Sequence, residues 1–540
     1  MRSSPDTKRG WSADPWLVLL LLVAAVLLLA GLGNGRLWQD EAETAVLAKN
    51  ILRFGYPRAF DGVNRLNPGL PLGPNYAWTY HPWGSLYTAA LSFLLFGINT
   101  ASARLPFALM GLFSIWMSYR VVRRITGDRS LARWTAFLLA TSVPFLLHMR
   151  QCRYYAPSVL FSLWAAGAYG RFLRERRWAG AELVFALLLL FHNNHGVFLP
   201  TVIGLALHLA WIRPGRKTIL RAAGVGAVTA ALTLPFFLFL QSGQHHTGTS
   251  FKELRHHAEF YFRQINIYLL PVTVWILPLI VWRSSFRPVL GRPGSPLRAG
   301  WKLAVCLLAA GLVFLVFVPY QRHFRYLIYL IPWLLMAQAA LLRRVVQLRR
   351  PLGLALAAIL IFTNLNYAAP YALAKSEKGR VRSYQWELIE ELLHPYRGPI
   401  DGIVELLDRE GKPGETLKTP YEEYPILFYT SLRVEPLARM EDFANETFPD
   451  WIVLRRDWLP GGFLESDYFR RIQASYREIL LDAPDIPWQN RPDPGYHRFR
   501  TDSSAPPVRV FRKLGSLPKP RAAALDSNAS SARSEEEGVS

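Results

Sequence analysis

Cysteine and acidic residues are scarce in this sequence. Its 540 residues include 2 cysteines, and 39 Asp and Glu stand against 62 Lys and Arg. Cys152 lies at the end of one apolar run and Cys306 within another, so we expect no disulfide framework and see no metal-ligand spacing. No Asp-X-Asp pair occurs, so the usual signature of an enzyme that binds a sugar nucleotide through a metal is missing.

The shortage of acid leaves a net charge of +23, which by itself could indicate a nucleic-acid partner. The Lys and Arg residues, however, lie in short clusters between long apolar runs. That arrangement is typical of a membrane protein whose basic loops stay inside. We therefore expect a membrane protein and no nucleic-acid partner.

Long apolar runs are what the sequence has in abundance, with 51% hydrophobic residues. A stretch of about 20 apolar residues crosses a bilayer as a helix. The sequence predicts about eleven such spans, at residues 15–33, 103–122, 131–148, 154–173, 179–193, 196–212, 219–240, 267–283, 301–320, 326–342 and 351–370. The first has no cleavage site after a short apolar core, so it is predicted to be an anchor.

The run 84–98 is apolar but short, and the basic clusters indicate whether it crosses. If it lies along the membrane surface, all five clusters fall on the inner side, as the positive-inside rule favours. We therefore predict a surface helix there, with the N-terminus inside. The clusters are Arg120, Arg123, Arg124 and Arg129; Arg171, Arg174, Arg176 and Arg177; Arg213, Arg216, Lys217 and Arg221; Arg283, Arg287, Arg292 and Arg298; and Arg343, Arg344, Arg349 and Arg350.

The character of the chain changes after about residue 373, where spanning runs end and short helix and strand patterns begin. We predict a multi-span transmembrane domain at 1–373, an outer-side (periplasmic) α/β domain at 374–515, and a disordered tail at 516–540. Residues 34–102 form the first outer loop with its surface helices. The fold class is an α-helical polytopic membrane protein of about 11 transmembrane helices with a C-terminal α/β soluble domain.

Residues 36–57 stand out because two adjacent carboxylates, Asp40 and Glu41, open an amphipathic pattern just after the first span. The pattern predicts a helix along the membrane surface that ends at Gly55 and Pro57. A carboxylate held there can act as general base on a hydroxyl or amine. The simpler alternative is that the pair only favours the helix N-terminus through its dipole.

Arginines on the outer side run against the charge bias, and they lie beside tyrosines. A guanidinium can hold a phosphate through two parallel hydrogen bonds, although Arg and Tyr are also common anchors at headgroup level. Zinc binding through outer histidines, for example His192 and His195, is conceivable, but no spacing matches a zinc motif. The candidate phosphate-binding residues are Arg150, Arg153, Arg322 and Arg325, and the candidate substrate-binding residues are Tyr80, His81, Tyr154 and Tyr155.

The order and sidedness of these segments resemble the C-class membrane glycosyltransferases, in the branch that holds protein O-mannosyltransferases and the bacterial aminoarabinose transferase. The acidic pair after the first span is similar to the first outer loop of that family. Residues 80–106 are similar to its second loop helix, and the segments around Arg153 and Arg325 to later ones. His81-Pro82-Trp83 departs from the family's Pro-Pro-Leu pattern, and Thr79 and Tyr80 stand where the aminoarabinose branch has a carboxylate.

The resemblance implies transfer of a sugar, with inversion, from a polyprenyl-phosphate carrier to a lipid, glycan or protein acceptor at the outer face of the cytoplasmic membrane. Asp40 would be the acceptor base with Glu41 as its neighbour, and outer arginines would hold the leaving phosphate. No cofactor is expected; a divalent metal is possible but not indicated. The alternative from another class is a flippase or transporter of lipid-linked sugars, which would also need many spans and cationic phosphate contacts.

Overall fold

The computed structural model describes residues 14–67, 71–240, 251–318, 321–364, 382–436, 448–487, 490–501 and 504–515. The N-terminal part is helical and the C-terminal part mixes helices and strands. The helices of the N-terminal part are α1 Pro15–Leu29, α2 Gln39–Phe54, α3 Gly84–Phe96, α4 Thr100–Thr126, α5 Arg129–Thr141, α6 Val143–Met149, α7 Tyr155–Phe172, α8 Ala179–Asn193, α9 His195–Ile212, α10 Arg216–Phe239, α11 Phe251–Tyr268, α12 Val272–Val281, α13 Arg283–Phe286, α14 Pro296–Phe317, α15 Ile331–Leu348 and α16 Arg350–Phe362.

The number of spanning helices differs from the predicted eleven. Among the described residues, five helices are long and apolar enough to cross a membrane, or up to seven if the bent pairs α5–α6 and α11–α12 each count as one span. The helices α1, α8 and α16 are apolar but have 15, 15 and 13 residues. At about 1.5 Å per residue they fall short of a bilayer core of roughly 30 Å. The count of eleven is therefore not confirmed, and part of the span predicted at 351–370 lies outside the described residues.

Residues 251–266, which lie between the spans predicted at 219–240 and 267–283, form most of α11. The charged side chains of α11 lower its hydropathy, so it does not stand out as an apolar run. Their i,i+4 spacing, however, stabilises a helix. Arg255 and Glu259 pair across one turn, with Nε 2.7 Å from Oε1, and such i,i+4 pairs stabilise a helix. The histidines His245 and His246 lie outside the described residues.

The basic loops meet one another on one side of the helical part. Arg174 donates to the carbonyl of Arg124 at 2.7 Å, and Arg343 forms an ion pair with Asp128. Asp14, just before α1, joins the same side: its carboxylate lies 3.2 Å from Arg129 Nε and 2.7 Å from Arg133 Nη2. The start of α1 and the end of α4 therefore lie on the same side.

This arrangement favours a surface position for α3. The chain leaves the side of the basic loops along α1 and returns to it along α4. If α3 also crossed the membrane, the end of α4 would lie on the opposite side. Both ends of α3 also touch elements away from the basic loops: Ser85 donates to the Asn193 side chain at 2.9 Å, and the Phe93 ring lies 6.0 Å from that of Phe428.

We expect a cysteine placed at residues 123–130, where α4 ends and α5 begins, to be unreactive toward an impermeant thiol reagent added outside the cell. Ser130→Cys is suited to the test because residue 130 is exposed while Cys152 and Cys306 are buried. Val63→Cys in the first outer loop, where Val63 is 58% exposed, is the matched control and should be labelled. Labelling of Ser130→Cys in intact cells would contradict the whole arrangement.

The C-terminal part has helices α17 Tyr384–Leu393, α18 Pro399–Glu410, α19 Glu423–Tyr429 and α20 Asp467–Ser475, and strands β1 Thr416–Thr419, β2 Arg433–Pro436, β3 Trp451–Leu454, β4 Tyr476–Pro484 and β5 Pro507–Lys513. One sheet has the order β2-β1-β3-β5-β4. The pairs β1–β2 and β1–β3 are parallel, and the pairs formed by β5 are antiparallel. This part thus mixes short helices and strands, as the sequence predicts, and α17, α20 and β4 are elements that the sequence patterns did not indicate.

The C-terminal part rests on the same end of the helical part as α2 and α3. Tyr429 Oη accepts a hydrogen bond from the Leu37 amide at 3.0 Å and lies 2.7 Å from the Thr100 hydroxyl. Asn490 donates to the Arg36 carbonyl at 2.6 Å. The start of α2 therefore lies between the helical part and the C-terminal part.

Candidate active site

Helix α2 contains Asp40, Glu41 and Glu43 and is largely buried. It begins at Gln39 with Asp40 and Glu41 in its first turn, and it ends at Gly55, whose φ of 81° is left-handed. Glycine adopts that conformation at no steric cost, and its amide donates to the Ile51 carbonyl at 2.8 Å. The helix predicted from the sequence is thus present, and most of its residues are buried.

Asp40 forms an ion pair with Arg325, which lies in the 3-10 segment Phe324–Leu330 just before α15. The two side chains are 21% and 14% exposed, so the pair is accessible from one side only. The Arg325 guanidinium lies 5.7 Å from the centre of the Tyr326 ring. The structure thus brings the predicted base into direct contact with a predicted phosphate-binding residue 285 positions away.

Arg153 lies beside this pair and holds three groups of α2 through one nitrogen. Its Nη1 donates to the Asp40 carbonyl at 3.0 Å, to Glu43 Oε1 at 2.7 Å and to the Thr44 hydroxyl at 3.0 Å. Glu43 Oε1 is also 2.7 Å from His81 Nε2. Burial by itself raises the pKa of Glu43, but Arg153 and His81 outweigh it and lower that pKa to about 2. Glu43 is therefore a permanent carboxylate at neutral pH.

Aromatic side chains surround the two arginines. The rings of Tyr154 and Tyr155 lie 5.0 Å apart, and the Arg153 guanidinium lies 5.3 Å from the centre of the Tyr154 ring. The Tyr155 hydroxyl is buried and has no hydrogen-bond partner among the described residues. Tyr80 is 44% exposed and lies edge-on to the rings of Trp78 and His81, at 5.9 and 6.0 Å. All four predicted substrate-binding residues thus lie around the Asp40 and Arg153 contacts.

Glu41 points the other way, into the protein. Its carboxylate is fully buried and receives two hydrogen bonds from Arg104, at 2.9 and 2.7 Å, and one from the Cys152 amide at 2.8 Å. Arg104 also donates to the carbonyls of Leu32 and Gly35. Glu41 therefore joins α2 to α4 and to the loop before α7, and through them fixes the depth of Asp40.

We expect Glu41→Gln to unfold the protein at a markedly lower temperature, because it leaves the buried Arg104 charge without its partner. Breaking a buried ion pair on one side typically costs about 3–5 kcal/mol. The measurement is thermal unfolding of the purified chain in detergent. Replacing both partners, as in Glu41→Gln with Arg104→Met, should cost less than the sum of the single changes. An unchanged melting temperature for Glu41→Gln would contradict this structural role.

Two of the predicted phosphate-binding arginines lie outside the cluster. Arg150 donates to three carbonyls at the C-terminal end of α1, those of Leu27, Leu28 and Gly31, at 2.9 to 3.3 Å. Its position serves to cap that helix end. Arg322 is exposed and lies three residues before Arg325. Of the four arginines, Arg153 and Arg325 are the two that the structure brings to Asp40.

The C-terminal part adds groups that sequence reasoning missed. Arg491 Nη2 is 3.0 Å from His323 Nδ1, two residues from Arg325. Glu423, at the start of α19, faces the start of α2: burial is the main cause that raises its pKa to about 7, and the charges of Glu43 and Asp40 add to the effect. No sequence pattern links Glu423 to Asp40, since they are about 380 residues apart. Glu43 could have been found, because it follows Asp40 by one helical turn.

We expect the raised pKa of Glu423 to make stability fall as the pH rises from about 4.5 to 7. In that window the folded chain retains a proton that the unfolded chain, with an ordinary pKa of 4.5, has lost. Rising pH therefore favours the unfolded state, and the penalty is complete above pH 7. The measurement is the melting temperature against pH for the wild type and Glu423→Gln. Parallel curves for the two proteins would contradict the expectation.

Among the described residues, no group of three or more His, Cys, Asp or Glu side chains could hold a metal ion. His192 and His195, the pair considered for zinc, instead lie among aromatic rings. The His195 ring stacks on Phe191 at 4.2 Å, and His192 lies edge-on to Phe236 at 4.8 Å. Arg153 and Arg325 are the arginines that contact Asp40.

Comparisons with known proteins agree with the resemblance in the sequence. Residues 80–239 match the family described as dolichyl-phosphate-mannose-protein mannosyltransferase. An uncharacterized protein of Aquifex aeolicus is 28% identical over 148 residues, which is 27% of this chain and 26% of that protein. The match thus spans about a quarter of the relative's length.

The fold is similar to that of a solved protein along nearly the whole chain. The crystal structure of ArnT from Cupriavidus metallidurans bound to undecaprenyl phosphate aligns with a TM-score of 0.59 at 14% identity, covering 94% of this chain and 100% of that one. The apo form of the same protein gives 0.57 at 14% identity, with 94% and 99% covered. The predicted resemblance to polytopic membrane glycosyltransferases is therefore confirmed, and the family that matches residues 80–239 is one of glycosyltransferases.

Proposed function

We propose that this chain is an inverting glycosyltransferase that moves a sugar from a polyprenyl-phosphate carrier to a hydroxyl or amine of a lipid, glycan or protein acceptor. The reaction takes place at the outer face of the cytoplasmic membrane, with the N-terminus inside and the C-terminal α/β domain outside. The observation that carries the proposal is the contact of Asp40 with Arg325 beside Arg153. A base and two cations thus meet at one small site, in a chain whose residues 80–239 match a sugar-transferring family.

The chemistry needs one bond made and one broken. The acceptor oxygen or nitrogen attacks the anomeric carbon of the sugar while its proton passes to an Asp40 oxygen. The bond between that carbon and the phosphate oxygen breaks, and the phosphate keeps the electron pair. Attack from the side opposite the leaving group inverts the anomeric configuration. Positioned proton transfer contributes typically 10²–10⁴-fold to such a step.

The leaving phosphate gains negative charge as the bond breaks, and cations already in place stabilise that charge without reorganising. Arg325 offers its guanidinium from one side of Asp40, and Arg153 lies against the backbone and side chains of α2 on the other. The Tyr155 hydroxyl, buried without a partner among the described residues, is a further hydrogen-bond donor for a phosphate oxygen.

A polyprenyl carrier fits this site in chemistry as well as in charge. The ArnT structure that shares this fold was solved with undecaprenyl phosphate. Helix α2, which carries the candidate site, packs against α3, and Leu91, Leu94 and Leu95 of α3 are exposed, which is apolar surface suited to a lipid tail. An apolar tail can therefore remain in the bilayer while its phosphate reaches the arginines. Tyr80, exposed above Glu43 and His81, is placed to contact the sugar or the acceptor.

The experiment separates transfer from transport. Comparative mass analysis of surface glycans in cells with and without the chain identifies the sugar and the acceptor. The corresponding radiolabelled polyprenyl-phosphate sugar is then given to the purified chain in proteoliposomes. Transfer releases one polyprenyl phosphate for each glycosylated acceptor. A flippase would instead move the intact lipid-linked sugar across vesicles that contain no acceptor, and would release no polyprenyl phosphate.

A further inference from the structure

The proposed base, Asp40, and the proposed phosphate-binding residue, Arg325, form an ion pair with each other. Asp40 is to accept a proton, and Arg325 is to hold a phosphate, yet in the structure the carboxylate and the guanidinium form an ion pair. A carboxylate that accepts hydrogen bonds from a guanidinium has fewer lone pairs free for an acceptor's proton, and a guanidinium that faces a carboxylate has fewer N–H groups for a phosphate. The ion pair therefore describes the site before the donor binds.

We propose that donor binding exchanges this ion pair: the carrier phosphate takes the place of the Asp40 carboxylate on Arg325, and the released carboxylate becomes free to accept the acceptor's proton. The inference rests on the proposed function. It adds that Asp40 competes with the donor and acts as a base only when the phosphate is in place.

Arg325 is the arginine that can change partners. Among the described residues its one hydrogen bond is the contact with Asp40, and its Nε is buried without a hydrogen-bond partner there. A guanidinium has five N–H donors, so Arg325 retains capacity for the two parallel bonds that a phosphate accepts. Both Arg325 and Asp40 keep some solvent exposure, which gives the phosphate an approach.

Arg153, in contrast, is fixed. Its Nη1 is shared by the Asp40 carbonyl, Glu43 and Thr44, all on α2, and its side chain is 8% exposed. Glu43 has two partners, Arg153 and His81, so it is not available to replace Asp40 on Arg325. The exchange is therefore confined to one carboxylate and one guanidinium, while Arg153 and Glu43 keep their positions.

The charge of the group bound to Arg325 changes during the reaction, and this change favours each following step. The donor is a phosphodiester with one negative charge, which replaces the one charge of Asp40 on Arg325. Transfer moves the acceptor's proton to Asp40 and leaves a phosphate monoester, which carries more negative charge, on the arginine. When Asp40 loses its proton to solvent it again competes for Arg325, and this competition favours release of the polyprenyl phosphate.

The exchange makes a prediction that runs against intuition: removing the proposed base should tighten binding of the carrier. If the ion pair is open in about one molecule in ten, it lowers the apparent affinity about tenfold. We therefore expect Asp40→Asn to bind farnesyl phosphate, a short polyprenyl monophosphate used as the probe, about tenfold more tightly than the wild type. Binding is measured by isothermal titration calorimetry on the full chain in detergent.

The matched control is the same change without Arg325. A general gain from losing one negative charge would persist in the double variant Asp40→Asn, Arg325→Ala, whereas exchange requires Arg325. We expect the double variant to bind the probe as weakly as Arg325→Ala alone, within about a factor of two, since the Asp40 effect acts through Arg325. Asp40→Ser provides a second form of the test should the Asn variant fail to fold, which thermal unfolding of each preparation checks.

The outcomes distinguish failure of the ion-pair exchange from failure of the proposed glycosyltransferase function. An Asp40→Asn affinity equal to or weaker than that of the wild type, or a gain that persists in the Arg325→Ala background, would overturn the exchange while leaving the proposed function in place. Failure of the wild type to bind farnesyl phosphate at all would overturn the proposed function and the exchange with it. Tighter binding together with lost transfer supports both, because a merely structural Asp40 would lower binding and transfer alike.

Discussion

We expect Asp40→Asn to lower the rate of sugar transfer by about 10²–10⁴-fold, the range in which removal of a general base typically falls. The side chain keeps its shape and its position at the start of α2, but it no longer has the charged oxygen that accepts the proton. Asp40 lies in the first turn of α2 and is not its N-cap, so a merely helix-favouring Asp40 would contribute about 0.3–1 kcal/mol through the helix dipole. Its loss would lower stability slightly and leave the transfer rate of the folded chain nearly unchanged. The size of the effect therefore separates the two roles.

The measurement is transfer from a radiolabelled polyprenyl-phosphate sugar in proteoliposomes. The matched control is Asp61→Asn, a carboxylate between α2 and α3 whose contacts in the structure are the amides of Val63 and Asn64. Its rate should stay close to that of the wild type. A near-wild-type rate for Asp40→Asn would end the catalytic role of α2 and favour the transporter alternative.

Arg325→Ala is the second large effect. Loss of a group that stabilises charge in the transition state typically costs about 10²–10³-fold in rate, and we expect a loss in that range here. Arg322 offers an unusually close comparison, because it is the same residue type, three positions away and exposed. Arg322→Ala should change the rate by less than about threefold, since an exposed guanidinium is screened by solvent.

The comparison is made on kcat and KM for the lipid-linked donor. Arg325→Lys keeps the charge but not the two parallel hydrogen bonds, so its rate should lie between those of the wild type and Arg325→Ala. Equal losses for Arg322→Ala and Arg325→Ala would indicate a general field rather than a phosphate contact. Full activity of Arg325→Ala would remove Arg325 from the site.

Local pattern was enough to predict several elements correctly. Helix α2 begins and ends where the acidic pair and Gly55 indicate, because both its N-terminal and C-terminal signals are local. The strands at Trp451–Leu454 and Pro507–Lys513 follow from runs of alternating and apolar residues. The number of spans was not predictable in the same way, because hydropathy does not report where an apolar helix bends or ends inside the protein.

The sequence by itself determined the chemical inventory of this protein: its long apolar runs, its clustered basic loops, an acidic pair after the first run, and arginines beside tyrosines. Composition and local spacing determine those features, and no fold is needed to see them. Only the tertiary structure decided which groups meet. It sent Glu41 inward to Arg104 and Asp40 outward to Arg325, because successive residues on a helix point about 100° apart. It also brought Glu423 to α2, since contacts between residues hundreds of positions apart depend on how helices and domains pack.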